Sequence, residues 1–102
     1  MTNMVRDVLL AFARVHILHH AAEERIFGVG MAKELARHGY RIGPGTLYPL
    51  LNRLEEDGLL SSEKRVEAGK VRKYYSITRK GALALRQIRE KIGELAHEVT
   101  PP

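Results

Sequence analysis

A mainly helical fold with one small β-hairpin is what this sequence predicts. Apolar residues recur at three- and four-residue spacing along four segments, glycine and proline delimit two short helices in the middle, and one stretch rich in β-formers surrounds a turn glycine. The 102 residues, 44% of them apolar, match one domain with a modest core. Residues 1–102 are therefore read as a single unit, with no room for a second, catalytic domain.

Val5, Val8, Phe12 and Val15 repeat at helical spacing, and Leu9, Leu10, Ile17 and Leu18 carry apolar surface around most of the cylinder. This predicts a long helix over about 4–23, with Asn3 as its cap. A helix apolar on nearly all sides must be covered on nearly all sides, which a chain this short does poorly alone, so a second subunit is expected. Phe27-Gly28-Val29-Gly30 interrupts the pattern. Met31, Ala32, Leu35 and Ala36 then predict a short helix over about 30–38, closed by Gly39, and Tyr40 to Gly43 form a turn.

Pro44 suits a first helical position, where no amide hydrogen is needed, and Leu47, Leu50, Leu51 and Leu54 mark the inner face of a helix over about 44–57 that stops at Gly58. Pro49 lies inside it, deletes one backbone hydrogen bond and predicts a bend or an irregular first turn. Residues 59–66 and 71–77 read as two strands, with Val66, Val71, Tyr74, Tyr75 and Ile77 as β-formers around the turn Glu67-Ala68-Gly69-Lys70. Because alternate strand residues face opposite sides, one of the two tyrosines is expected to pack on the helices. Thr78 caps a last helix over about 79–98, in which Leu85, Ile88, Ile92, Leu95 and Val99 repeat at 3, 4, 3, 4 and form a seam for another helix.

The charge is local. The chain carries 17 Lys and Arg against 12 Asp and Glu, a net +5, yet Lys64, Arg65, Lys70, Arg72, Lys73, Arg79 and Lys80 stand against Glu67 alone. That short segment holds +6, and the rest of the chain is close to neutral, which is the pattern of a polyanion-binding footprint. No cysteine is present, which excludes disulfides, thiolate metal sites and thiol nucleophiles and suits a reducing compartment. No apolar run approaches the ~20 residues of a membrane span, and the first residues lack the pattern of a signal peptide. A soluble, cytoplasmic protein without a membrane partner is expected.

Two short helices joined by a glycine-containing turn and followed by a basic hairpin form the order of a winged helix-turn-helix, here flanked by N- and C-terminal dimerisation helices. A helix about 10–12 Å across fits the major groove of double-stranded DNA, while a basic ribbon lies along the neighbouring backbone. With the leucines turned inward, Thr46, Tyr48, Pro49, Asn52 and Arg53 face outward as DNA contacts, and Lys64, Lys70, Arg72 and Lys73 join them from the wing, about 59–77. Arg53 suits guanine and Asn52 adenine, and both equally suit phosphates.

Two stretches carry a family resemblance. Pro44-Gly45-Thr46-Leu47-Tyr48-Pro49-Leu50-Leu51-Asn52-Arg53-Leu54-Glu55-Glu56-Asp57-Gly58-Leu59-Leu60 resembles the recognition-helix signature of PadR-like transcriptional regulators, and Arg72-Lys73-Tyr74-Tyr75-Ser76-Ile77-Thr78-Arg79-Lys80-Gly81 resembles their wing and last-helix start. The resemblance spans about residues 8–98 and is similar to the short branch with a single helix after the wing. It implies a dimeric repressor, released by an effector bound between subunits, in which Thr46, Tyr48, Lys70 and Arg72 face DNA. The chain departs from it at Phe27-Gly28-Val29, where the family often has His-Gly-Tyr: the glycine stays and two polar rings are lost.

Val5, Val8, Phe12 and Val15 with Leu85, Ile88, Ile92, Leu95 and Val99 are the expected homodimer contacts. A two-fold dimer presents its recognition helices to half-sites roughly 34 Å apart, so the operator is expected to be an inverted repeat. No cofactor is required. His16 and His20, four apart with His19 between them, share a helical face and can hold a divalent metal effector, completed by His38, His97 or glutamates from a partner. A metal-responsive regulator is thus one alternative, and a winged-helix protein-interaction module is another. Catalysis has no constellation: Gly28-Val29-Gly30 is an unfinished dinucleotide fingerprint, no phosphate loop occurs, His16 to His20 lack the glutamate base of a zinc protease, and Ser61, Ser62 and Ser76 fall on the hairpin.

Overall fold

The computed structural model describes residues 3–102. Its elements run α1 (Asn3–Glu23), β1 (Ile26–Phe27), α2 (Gly28–Arg37), α3 (Pro44–Glu56), β2 (Leu60–Glu67), β3 (Lys70–Ile77) and α4 (Arg79–Val99). The expected helices and hairpin are all present, with ends displaced by one or two residues. Asn3 is the first helical residue of α1 rather than its cap, so the cap position falls outside the described residues.

The sheet has one strand more than the hairpin. β1 pairs antiparallel with β3, placing Ile26 opposite Tyr75 and Phe27 opposite Tyr74, and the order is β1, β3, β2. Two residues are too few to show a period of two, which is why this stretch reads from sequence only as an interruption. Phe27 leaves the strand in extended conformation and serves as N-cap of α2, so that helix begins at Gly28, two residues early.

Backbone hydrogen bonds explain where the two short helices stop. After α2, Gly39 N donates to the Ala36 carbonyl and Tyr40 N to that of Leu35; after α3, Gly58 N donates to Glu55 and Leu59 N to Leu54. Both ends turn on a glycine of positive φ, +84° at Gly39 and +78° at Gly58, which a residue without Cβ adopts at no steric cost. Pro44 occupies the first turn of α3 as expected, and the helix continues unbroken through Pro49. At its start the Gly43 carbonyl accepts from both Thr46 N and Leu47 N, a shared bond common at helix ends.

Ala13, Ile17, Leu18 and Ala21 of α1, Met31 and Leu35 of α2, Leu47, Leu51 and Leu54 of α3, with Ile26, Leu60, Tyr75 and Leu85, form one core. Leu85 corrects an expectation. Predicted at a subunit interface, it is only 2% exposed within its own chain, because the first two turns of α4 pack on α1 and β3. Val15 and Ile88 are half-buried against the same core. A seam with 3-4 spacing looks the same whether its partner helix is intramolecular or not. From Arg89 onward, by contrast, every residue of the chain is exposed.

Candidate nucleic-acid interface

The buried leucines fix the rotation of α3. With Leu47, Leu51 and Leu54 in the core, Tyr48, Pro49, Asn52 and Arg53 are exposed and Thr46 is half-buried beside them. Tyr48 is not a free side chain: a Cβ on Gly28 would lie 2.7 Å from its ring and its hydroxyl oxygen, so the phenol rests on the bare Cα at the start of α2. The retained glycine of the departing motif therefore has a steric task, seating a residue of α3. Arg53 Nε lies 3.4 Å from Asp57 Oδ1, an exposed pair one turn apart. Asn52 has no side-chain partner among the described residues.

The wing closes through Ala68 and Gly69, both with positive φ, so its turn is two residues long and Glu67 faces Lys70 as the last pair. Along β3 the side chains alternate. Arg72 sits over the Phe27 ring at 4.2 Å, Phe27 meets Tyr74 edge to face at 5.6 Å, and Arg25 covers Tyr74 at 4.5 Å. This stack of two rings between two cations spans β1 and β3 and holds the Arg72 guanidinium over the Phe27 ring. The Tyr74 hydroxyl donates to the Glu67 carboxylate at 2.8 Å, which lies 3.8 Å from Arg72. Tyr74 and Tyr75 are both buried, on opposite faces, Tyr75 in the core and Tyr74 within the stack.

Several of the seven cations are tied within the fold. Lys73 faces α3, with its ammonium 3.4 Å from Glu55 and 5.2 Å from the centre of the Tyr75 ring. Ser62 Oγ donates to the other Glu55 oxygen at 2.5 Å. That hydrogen bond, opposed by burial and aided by Lys73, holds the Glu55 carboxyl below the usual carboxylate range. Lys80 Nζ donates to the Asp57 carbonyl at 2.9 Å, neutralising the C-terminal end of α3, and Arg65 pairs with Glu63 at 2.9 Å. Lys64, Lys70 and Arg79 have no acidic partner among the described residues. The segment's +6 is thus partly structural, which a count of charges cannot reveal. Between helix and wing runs a cleft of about 330 Å³ whose walls include Tyr48, Asn52, Lys70 and Arg72.

A model of the transcriptional regulator PadR-like family matches residues 17–87 of this chain. The chain belongs to the PadR-like family of transcriptional regulators. It is 52% identical over 95 residues to transcriptional regulator Rv3488 of Mycobacterium tuberculosis, covering 93% of this chain and 89% of that protein. Among solved structures, a PadR family regulator from Eggerthella lenta is 35% identical, with a TM-score of 0.77 over 95% of this chain and 89% of its own. A PadR-like transcription factor from Bacteroides fragilis is 30% identical, with a TM-score of 0.82 and 96% of both chains covered.

The PadR-like assignment makes this a DNA-binding transcriptional regulator and not an enzyme. Among the described residues no helix is long and apolar enough to cross a membrane.

Proposed function

We propose that this PadR-like regulator is a homodimeric repressor that binds an inverted-repeat operator and is released by an effector. The outward face of α3, Thr46 to Arg53, enters the major groove, while Lys64, Lys70 and Arg72 grip phosphates beside it. Arg72 carries this reading: an arginine held on an aromatic ring, with only a 3.8 Å approach to Glu67, lines the helix-wing cleft. Lys73 takes a supporting part, bracing β3 against α3 through Glu55.

A second copy supplies the missing cover for α1 and α4. Val5, Val8 and Phe12 on one helix and Ile92, Leu95 and Val99 on the other remain 38–63% exposed. Side chains of this size gain about 1.5–3 kcal/mol each on full burial. Between the two helices lies an apolar hollow of about 330 Å³, walled by Phe12, Val15, Tyr40, Leu85 and Ile92, which suits a small apolar effector.

Salt titration of DNA binding tests the reading. Log affinity should fall linearly with log salt, and Lys70→Ala with Arg72→Ala should weaken binding to every sequence and flatten the slope by about 1.8, at roughly 0.9 per lost phosphate contact. An unchanged slope removes the wing from the phosphates. Asn52→Ala should instead relax preference at one base position, by about 1–3 kcal/mol. Uniform loss across all sequences would assign Asn52 to the backbone.

A further inference from the structure

The third nitrogen of a metal site comes from a different helix than the first two. His16 and His20 lie one turn apart on α1, and the C-cap of α2 brings in His38, whose ring centre is 4.6 Å from that of His16. One ring nitrogen from each of the three lies within 4.8 Å of the other two. Glu34, one turn before His38, places a single carboxylate oxygen 3.5 Å from His20 Nε2 and 3.4 Å from His38 Nε2. Donors around a tetrahedral zinc ion stand about 3.3 Å apart, given metal-nitrogen bonds of about 2.0–2.1 Å. The two Glu34 approaches already have that spacing, and rotation of exposed His38 can close the rest.

We propose that His16, His20 and His38, with Glu34 as a fourth oxygen donor, bind one divalent cation of the zinc class and so clasp α1 to the C-terminal end of α2. Imidazole and carboxylate without thiolate select zinc, cobalt or nickel over soft monovalent ions, and three nitrogens are too many for calcium or magnesium. The surroundings favour the neutral, metal-binding form of His16. Burial first, then the charges of His38, His20 and His19, hold His16 below its ordinary value, opposed by Glu34. Tyr40 stands edge-on to His16 at 5.2 Å, Arg37 pairs with the other Glu34 oxygen at 3.1 Å, and Arg89 of α4 reaches only His19, at 3.0 Å. Arg37 thus leaves free the Glu34 oxygen that approaches His20 and His38. A rival set, His19, His20 and Glu23, shares His20 but lies along α1 alone. It bridges no elements.

The test uses the full chain without DNA, so its outcome is independent of the operator reading. Titration with Co²⁺ at pH 7.5 should give the visible ligand-field bands of four-coordinate cobalt, saturating at one ion per chain and displaced by Zn²⁺. His16→Ala and His38→Ala should each weaken zinc binding at least tenfold, and Glu34→Gln by roughly tenfold. Zinc should also raise the Tm of the parent chain and not that of His38→Gln, a variant whose exposed side chain carries no part of the core. Affinity should fall as the pH is lowered, because each imidazole must be deprotonated to bind the ion. The proposal is overturned if no saturable one-to-one binding occurs, if binding survives in His16→Ala with His38→Ala, or if it is lost in His19→Ala and kept in His38→Ala.

Discussion

At the level of single residues, Gly28 and Tyr48 form one unit. The far end of the Tyr48 ring fills the space that a side chain at 28 would take, so Gly28→Ala must expel a ring that can swing toward solvent. Because Tyr48 is 43% exposed and its ring has solvent to turn into, the expected loss of stability is small, within about 0.5 kcal/mol. DNA binding should suffer more. Gly28→Ala should lower operator affinity nearly as much as Tyr48→Ala, and the pair together should lose little more than either alone, as fluorescence anisotropy would show. Additive losses would mean that the seat does not matter to recognition. His16 gives a second residue-scale prediction. Burial, with the like charge of His38, His20 and His19 and against Glu34, depresses its pKa below 6.5, while Arg89 and Tyr40 pack nearby. The unfolded chain therefore binds this proton first as the pH falls. Stability from His16 is complete above pH 6.5 and is lost as the pH drops from there through the lower folded value. Urea unfolding at pH 7.5 and 5.5, in the presence of a chelator, should show a smaller difference for His16→Gln than for the parent chain.

Among the elements, the junction between wing and α4 rests on Thr78. Its hydroxyl donates to the Gly58 carbonyl at 2.6 Å and accepts from Gly81 N at 3.0 Å, while its own amide donates to Leu59. One side chain thus caps α4 and holds the end of α3 against the end of β3. Thr78→Ala should cost about 1–2 kcal/mol, lowering Tm by roughly 4–8 °C for each kcal/mol in a chain this size. Thr78→Ser should recover most of that, and a null effect in thermal unfolding would refute the role. Gly81 lies so close that a Cβ would overlap the Leu59 carbonyl oxygen, a backbone atom that cannot yield. This junction also marks how far the sequence could be read. Thr78, Gly39, Gly58 and Pro44 are legible because capping and turn chemistry act through neighbours in sequence. β1 and the stack of Arg25, Tyr74, Phe27 and Arg72 are not, because their partners lie more than 40 residues apart in the chain. The inward turn of Lys73 is hidden for the same reason: composition assigns a charge to the wing, and only packing assigns it to Glu55. His38 escaped full weight as well, since nothing local says that the end of α2 returns to the middle of α1.

For the molecule as a whole, the shape itself argues for a partner. The chain measures 52 × 31 × 22 Å, and the second half of α4, exposed throughout, reaches past the core that buries its first half. An isolated helix of three or four turns is marginal in water, so this half depends on something that covers Ile92, Leu95 and Val99. The proposed second copy would meet that need and would also pair the two copies of α3, making DNA binding and assembly one equilibrium. Ile92→Glu with Leu95→Glu should leave the winged helix folded, because neither residue belongs to the core. In the dimer the same substitutions bury two carboxylates per chain against apolar partners, which costs several kcal/mol unless they stay in water. Sedimentation should then show a monomer at concentrations where the parent chain is dimeric, and affinity for an inverted repeat should fall toward that for a single half-site. Inserting about five base pairs between the half-sites puts one of them on the opposite side of the duplex. The parent chain should lose affinity for that DNA by at least tenfold, whereas the monomeric variant should bind it as well as the original. Equal affinity of the parent chain for both spacings would show that each protomer reads DNA independently.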